Sequence, residues 1–346
     1  MLNIMKRAGK KEYGMTICKV IRLHGAGGTE VMRIDEIDVP LPGPGQVRLR
    51  MKAIGISRGD ILYRKGGFPN QPPYPSLMGF EGAGEVESIG EGVSRFSVGD
   101  AVSILPLPAA HYGTYGELAI VNAAQLTHHP REMSWEKAAA LWANTFTAYN
   151  TLVFDGHLQA GEPVVITAAS STVAIAAIQI ARKLGAVPIA ITRTRKKAAR
   201  IAELGAAHVI VSDEEDIVAA VRNIVGPAGV RLVCDGVSGH MIKPLTEMLS
   251  YEGLLLNYGM LDVSVAEFPS ALLLVKSLTI KGSNVAQAVA DPARLAQARD
   301  FILEGFREGI IDPPIDARFQ FHEMAKAHEL MESNTIAGKV VVLVNP

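Results

Sequence analysis

The chain has 346 residues, 48% hydrophobic and 20% charged, which suits a globular protein long enough for two cores. Its formal net charge of −1 removes the electrostatic case for nucleic acid or an anionic membrane surface. No apolar run reaches the roughly 18 residues of a membrane helix.

The basic, polar stretch 1–14 lacks the apolar centre of a signal peptide and reads as an extension ahead of Met15. The first third is then rich in short strands. Residues 47–54 alternate like a half-buried strand after the turn cluster 40–45, and 82–89 and 100–105 follow between glycine-rich turns. That pattern predicts a barrel-like antiparallel unit. Two cysteines, Cys18 and Cys234, argue against a disulfide framework, exclude a four-thiolate zinc site within one chain, and fit a reducing cytoplasm.

The middle changes period. An apolar strand at 163–167 precedes a helix at 172–184, ended by Gly185, and the apolar stretch 164–181 is interrupted by Thr167, Ser170, Ser171, Thr172 and Gln179. Strand 187–191, helix 196–204, strand 208–211 and helix 214–224, with Asp213 as its cap, come next. Strands at 232–234, 254–257 and 278–280 continue the series. This alternation predicts an α/β fold with a doubly wound parallel sheet. A helix at 292–305, an extended stretch at 309–321, a helix at 323–333 and a strand at 338–343 are too short for a domain and are expected to rejoin the first unit.

A strand, tight turn and helix is the context in which a dinucleotide pyrophosphate binds. Here the turn is Ala169, Ser170, Ser171, Thr172, Val173 and Ala174, with none of the usual three glycines. Small residues still allow close backbone approach, and the hydroxyls can donate to phosphate; a small-residue turn without a ligand is the competing reading. About 20 residues on, where an acid would take ribose hydroxyls, stand Arg193, Arg195, Lys196 and Lys197. Cations at a helix start oppose the macrodipole, and an adenosine 2′-phosphate would answer them. The expectation is NADPH rather than NADH, against the plainer alternative of a solvated basic helix start.

At this point the chain resembles the zinc-independent quinone oxidoreductase branch of the medium-chain dehydrogenase/reductases. The carrying segments are 55–60, 79–84, 98–100, 113–117, 139–142, 147–149, 168–181, 204–207 and 338–341, in family order from Met15 to Val344. The resemblance implies a GroES-like β-barrel catalytic domain at 15–140 and 286–346 around a Rossmann domain at 141–285, with NADPH in the cleft. It also implies a homodimer formed through the Rossmann sheet edge, for which 272–280 is the expected segment. Zinc-bearing relatives hold Cys and His where this chain has Ser57 and Phe80, so no metal is expected. His111, His128 and His129 read as surface loop residues. Without a Lewis acid, alcohol oxidation is disfavoured, whereas reduction of a quinone or an enone yields an anion that is already delocalised.

The resemblance assigns Tyr63 and Thr147 as catalytic candidates, although the family tyrosine aligns at Leu62. It places Asn257, Tyr258, Gly259, Asn284 and Lys339 beside the cofactor, and Asp60 in a structural role. Ser57, Phe80, Tyr115, Trp142 and Asn144 are expected to line the substrate pocket. No hydrolase elbow is present, since Gly-Val-Ser-Gly at 236–239 lacks the spacing. The expected function is NADPH-dependent reduction of an apolar quinone or α,β-unsaturated carbonyl. Two alternatives stay open: an enoyl reductase dedicated to one biosynthetic intermediate, and an NADPH-binding protein without turnover.

Overall fold

The structure, a computed structural model, describes residues 16–67, 73–106 and 113–344. The stretch 1–14 and His111 lie outside them. The β-rich part forms a mixed sheet in the order Ile315–Gln320, Lys339–Leu343, Gln46–Ile56, Gly82–Ile89, Ala101–Ile104 and Leu126–His128, with Leu118–Asn122 also paired to Gln46–Ile56. A smaller sheet packs Met32–Val39, Thr16–Leu23 and Ser76–Leu77 beside it. The alternation read in the sequence is what buries this sheet: Val47, Leu49 and Met51 of the longest strand face the core at 1% exposure or less. Only the pair Ile315–Gln320 and Lys339–Leu343 runs parallel.

The second sheet has six strands in the order His208–Val211, Val187–Thr192, Pro163–Ile166, Val230–Asp235, Leu249–Asn257 and Thr279–Gly282. All pairs are parallel. This is the Rossmann order, with the sequence-first strand in the middle and a crevice where the order reverses. Val164, Val165 and Ile166 are fully buried, as a strand covered on both faces requires. The helix Thr172–Lys183 ends where Gly185 takes a φ of +74°.

Several boundaries move for local reasons. The helix expected from 214 begins at Ile217, because the Asp216 carboxylate, not that of Asp213, accepts from the backbone N–H of Val218 and Ala219. The basic run Arg195–Lys197 is a 3₁₀ turn ahead of the helix Ala198–Glu203. Segment 272–280 is split into a helix, Ser270–Lys276, and the sheet's edge strand. His128 and His129 point apart as adjacent strand residues do, but only His128 is exposed. His129 is a correction to the surface reading: it is buried, 3.4 Å from Ser103 Oγ and edge-on to Trp135.

The helix Pro292–Arg307 packs with the elements around the six-stranded parallel sheet, its Ala298 and Ile302 sharing a core with Tyr149 and Ile180. We therefore propose that the chain rejoins the barrel with Ile315–Gln320 rather than at 286. Among the described residues no helix is long and apolar enough to cross a membrane.

Candidate functional site

The carboxyl ends of the central strands are knitted together by one carboxylate. Asp235 is fully buried and accepts from Thr167 Oγ1 (2.6 Å), the backbone N–H groups of Val237 (3.0 Å) and Ser238 (2.8 Å), and Asn257 Nδ2 (3.0 Å). Thr167 Oγ1 in turn accepts from Gly236 N at 2.9 Å. Three strands are thus locked at the crevice where this fold binds ligands. Asn257 is spent on this network, so its side chain supports the site from behind. The Tyr258 ring lies over Gly236, where an added Cβ would meet the phenol oxygen at 2.5 Å, and Gly259 sits against the same backbone.

The strand–helix turn is tight even without its glycines. Ala168 takes a φ of +47°, a strained left-handed conformation for a residue with a side chain. Ser171 caps the helix Thr172–Lys183 by accepting from Ala174 N, and Ala174 packs fully buried against the core. Thr172 Oγ1 donates to Asn144 Oδ1 at 2.9 Å, and Val173 leans on the main core, so neither hydroxyl nor alkyl group is free for a ligand. Ser170 alone of the predicted turn residues lines the open space.

That space is a cavity of about 570 Å³ between the Rossmann strand ends and the barrel loop 333–335. Arg193 and Lys196 line it with exposed side chains, and half-buried Arg58 lines it from the barrel, its guanidinium donating to Asn334 Oδ1. The apolar Ile191, Val237, Met241 and Leu261 form a slot at the other end. The four basic positions have separate fates. Arg195 turns away, its exposed side chain ion-paired to Glu214. Lys197 stays within the cavity wall but spends its ammonium on Ser170 Oγ (3.3 Å), Asn334 O (2.7 Å) and Ile336 O (2.8 Å), tethering turn to barrel. Burial and then the neighbouring Arg193 lower its pKa.

On the barrel side the structure corrects several expectations. Tyr63 is fully buried, its hydroxyl 3.4 Å from Leu77 O and its ring edge-on to Phe80, while Leu62, at the family's tyrosine position, is 48% exposed. Burial also raises the Tyr63 pKa, as the barrel core around it requires. Tyr115 is likewise fully buried, its hydroxyl 3.0 Å from His328 Nε2. Lys339 is buried in an ion pair with Glu81 and does not reach the cleft. Trp142 packs against Phe146 in the core, and Asn144 is held between Ala140 O and Thr172. Thr147 donates to Ala143 O on its own helix, and Asn284 caps the helix Val285–Ala290.

Ser57 and Phe80 remain beside each other, both within 4 Å of the Cβ position of Gly59. Ser57 caps the helix Arg58–Arg64, its hydroxyl donating to Asp60 Oδ2 at 2.7 Å and its N–H at 2.8 Å. Asp60 has no exposed surface, and burial pushes its carboxyl up to about 7.

Comparison with known proteins bears on this geometry. The alcohol dehydrogenase GroES-like domain family matches residues 43–131, and the zinc-binding dehydrogenase family matches 172–304. A quinone oxidoreductase of Pseudomonas aeruginosa is 30% identical over 94% of this chain and its own full length. The synaptic vesicle membrane protein VAT-1 homolog of Rattus norvegicus is 30% identical over 94% of this chain and 83% of its own. The crystal structure of Escherichia coli quinone oxidoreductase complexed with NADPH superposes with a TM-score of 0.87 at 27% identity, covering 94% of this chain and 99% of that one.

The chain belongs to the quinone oxidoreductase branch of the medium-chain dehydrogenase/reductases. It is an oxidoreductase with that branch's paired GroES-like and Rossmann architecture.

One matching family is described by its zinc, but the residues here do not suit the ion. The Ser57 hydroxyl is committed to Asp60, and Phe80 offers no donor atom. Sequence reasoning missed Asp235, Arg58 and the loop 333–335. Asp235 had a usable signal, an acid closing an apolar strand that ends at the crevice. The loop had none, because only the fold carries it across to the Rossmann strands.

Proposed function

We propose that this oxidoreductase is an NADPH-dependent reductase of a quinone or an α,β-unsaturated carbonyl compound, working without zinc. The observation that carries the reading is the cavity lined by Ser170 of the strand–helix turn and by Arg193 and Lys196, two cations with no partner among the described residues. The donor set suits a phosphorylated dinucleotide: backbone N–H groups and the helix dipole for the pyrophosphate, cations for a 2′-phosphate, and the apolar slot for the adenine. When bound, the nucleotide supplies hydride.

The chain's own residues do the rest. The Asp235 network fixes the strand ends so that the nicotinamide side keeps its place relative to Asn257 and Gly259. Phe80 gives an apolar wall next to Ser57. Ser57 and Asp60 hold a proton: with its pKa near 7, the Asp60 carboxyl is half protonated close to neutrality and can restore a proton lost from Ser57 Oγ. A reduced quinone or enone needs one proton on oxygen or carbon, and no metal.

We also propose a homodimer. The edge strand Thr279–Gly282 leaves a ladder face unpaired among the described residues. Around it Val265, Leu274, Val263 and Val275 are 73–93% exposed, an apolar area that pairing with a second copy would cover. The two free, buried cysteines fit a reducing cytoplasm.

The test is binding of NADPH and NADH, read by tryptophan fluorescence, in the wild type, Arg193→Ala and Lys197→Met. We expect NADPH to bind at least ~10-fold more tightly than NADH, as a lost charge-assisted phosphate contact would imply. Arg193→Ala removes that preference and Lys197→Met keeps it. Binding of neither nucleotide at millimolar concentration would overturn the reading.

A further inference from the structure

A second cavity, of about 360 Å³, lies apart from the nucleotide site and shares none of its lining residues. Its walls come from two parts of the molecule. Leu105 and Leu126 belong to the barrel edge; Val289 and Leu295 belong to the helices Val285–Ala290 and Pro292–Arg307. Its rim carries two arginines, Arg95 from the barrel and Arg299 from the long helix.

The chemistry of this lining is lopsided. The walls are largely aliphatic, both charged groups in the lining are guanidinium, and among the described residues no acid lines the space. Among the described residues Arg299 is engaged only by its exposed sequence neighbour Asp300, at 2.8 Å, a contact worth little in water. Arg95 stacks over Phe96 with its guanidinium carbon 5.1 Å from the ring centre, and makes one long contact, 3.4 Å, to Leu126 O. Both retain donors for an anion. Gln125, also in the lining, has a buried Oε1 with no hydrogen-bond partner among the described residues, an acceptor that a bound molecule or water would satisfy. The volume lies in the range of sites that enclose small ligands.

We propose that this cavity is a second binding site, for an amphipathic carboxylate. The apolar chain would lie between Leu126 and Val289, and the carboxylate would meet Arg95 and Arg299 in charge-assisted hydrogen bonds. Such a ligand touches the barrel and the Rossmann-side helices at once. It would stabilise their present arrangement, the more so as its concentration rises above its dissociation constant. The site is independent of the reductase reading, because it uses no residue of the nucleotide cavity.

The test uses the full-length protein, with decanoate as probe and decanol as the uncharged control, by calorimetry with and without saturating NADPH. Decanoate is expected to bind at sub-millimolar concentration, at least ~10-fold more tightly than decanol. The double variant Arg95→Gln, Arg299→Gln should lose that difference. Ala296→Trp, which puts a ring into the space, should abolish binding of both. NADPH affinity, measured on the same samples, should stay at the wild-type value and so report that the variants are folded. If decanoate fails to bind at millimolar concentration, or binds both variants as it binds the wild type, the site does not exist as described. If NADPH fails to bind while decanoate binding follows the variants, the reductase reading falls and this one stands.

Discussion

Asp60 and Asp235 are both carboxylates without exposed surface, and they do different things. Asp235 meets four donors that repay its removal from water, and its effect is to fix the strand ends. Asp60 accepts from Ser57 N and Oγ on one oxygen, and its other oxygen meets no hydrogen-bond donor within bonding geometry among the described residues. Burial therefore dominates and lifts its pKa from 3.8 to about 7. The folded protein keeps this proton across a range in which the unfolded chain has lost it. Stability from this group is complete below the unfolded value and declines as pH rises toward 7. Asp60→Asn is expected to flatten that decline, seen as a smaller loss of urea midpoint between about pH 4 and 7 than the wild type shows. An unchanged pH dependence would mean that Asp60 is ionised in the fold, and would remove it as the proton reserve behind Ser57. The other residue-scale lesson concerns tyrosine. Tyr63 and Tyr115 were read as site aromatics from motif position, yet a one-residue offset on a helix turns a side chain by about 100° and took Tyr63 into the core.

At the scale of elements, side-chain caps decide where helices start. Asp213 and Asp216 both precede an apolar periodic stretch, and either satisfies the residue preference for a cap. Only Asp216 reaches the first two free N–H groups. Asp216→Ala should lower stability by about 1 kcal/mol, while Asp213→Ala should leave the denaturation midpoint unchanged. Equal losses would mean that the helix begins a turn earlier. The strand–helix turn 168–174 shows a related economy. Ser171 serves as the cap, Ala174 packs without displacing the helix, and Ala168 carries the left-handed conformation that a glycine would take at less strain. The glycine-free sequence thus still builds a tight turn, at a strain of about 1–2 kcal/mol in Ala168.

Across the whole molecule, the cleft is held by contacts between lobes far apart in sequence. Lys197 joins the turn to Asn334 and Ile336 of the barrel, where Arg58 of the same lobe holds Asn334. These tethers set the width of the cavity in which Arg193 and Lys196 remain free. The exposed apolar surface beside the edge strand belongs to the same scale. Leu274→Glu places a charge within it and should convert the proposed dimer to a monomer in sedimentation, with NADPH binding retained. A wild type that sediments as a monomer would refute the dimer outright.

The sequence by itself determined the two-part architecture, the strand order's consequences and the place of the basic cluster. Strand and helix periods, glycine stops and small-residue turns are local signals that survive without tertiary context. Only the tertiary structure decided which of the basic side chains stay free. Four cations in five positions look alike in sequence, but Glu214 and the loop at 334–336 claim Arg195 and Lys197 and leave Arg193 and Lys196 to the cavity. The same holds for Lys339, claimed by Glu81, which lies just ahead of a strand more than two hundred residues earlier. A charge's partner is set by distance in space, and the fold that sets it is distributed over the whole chain.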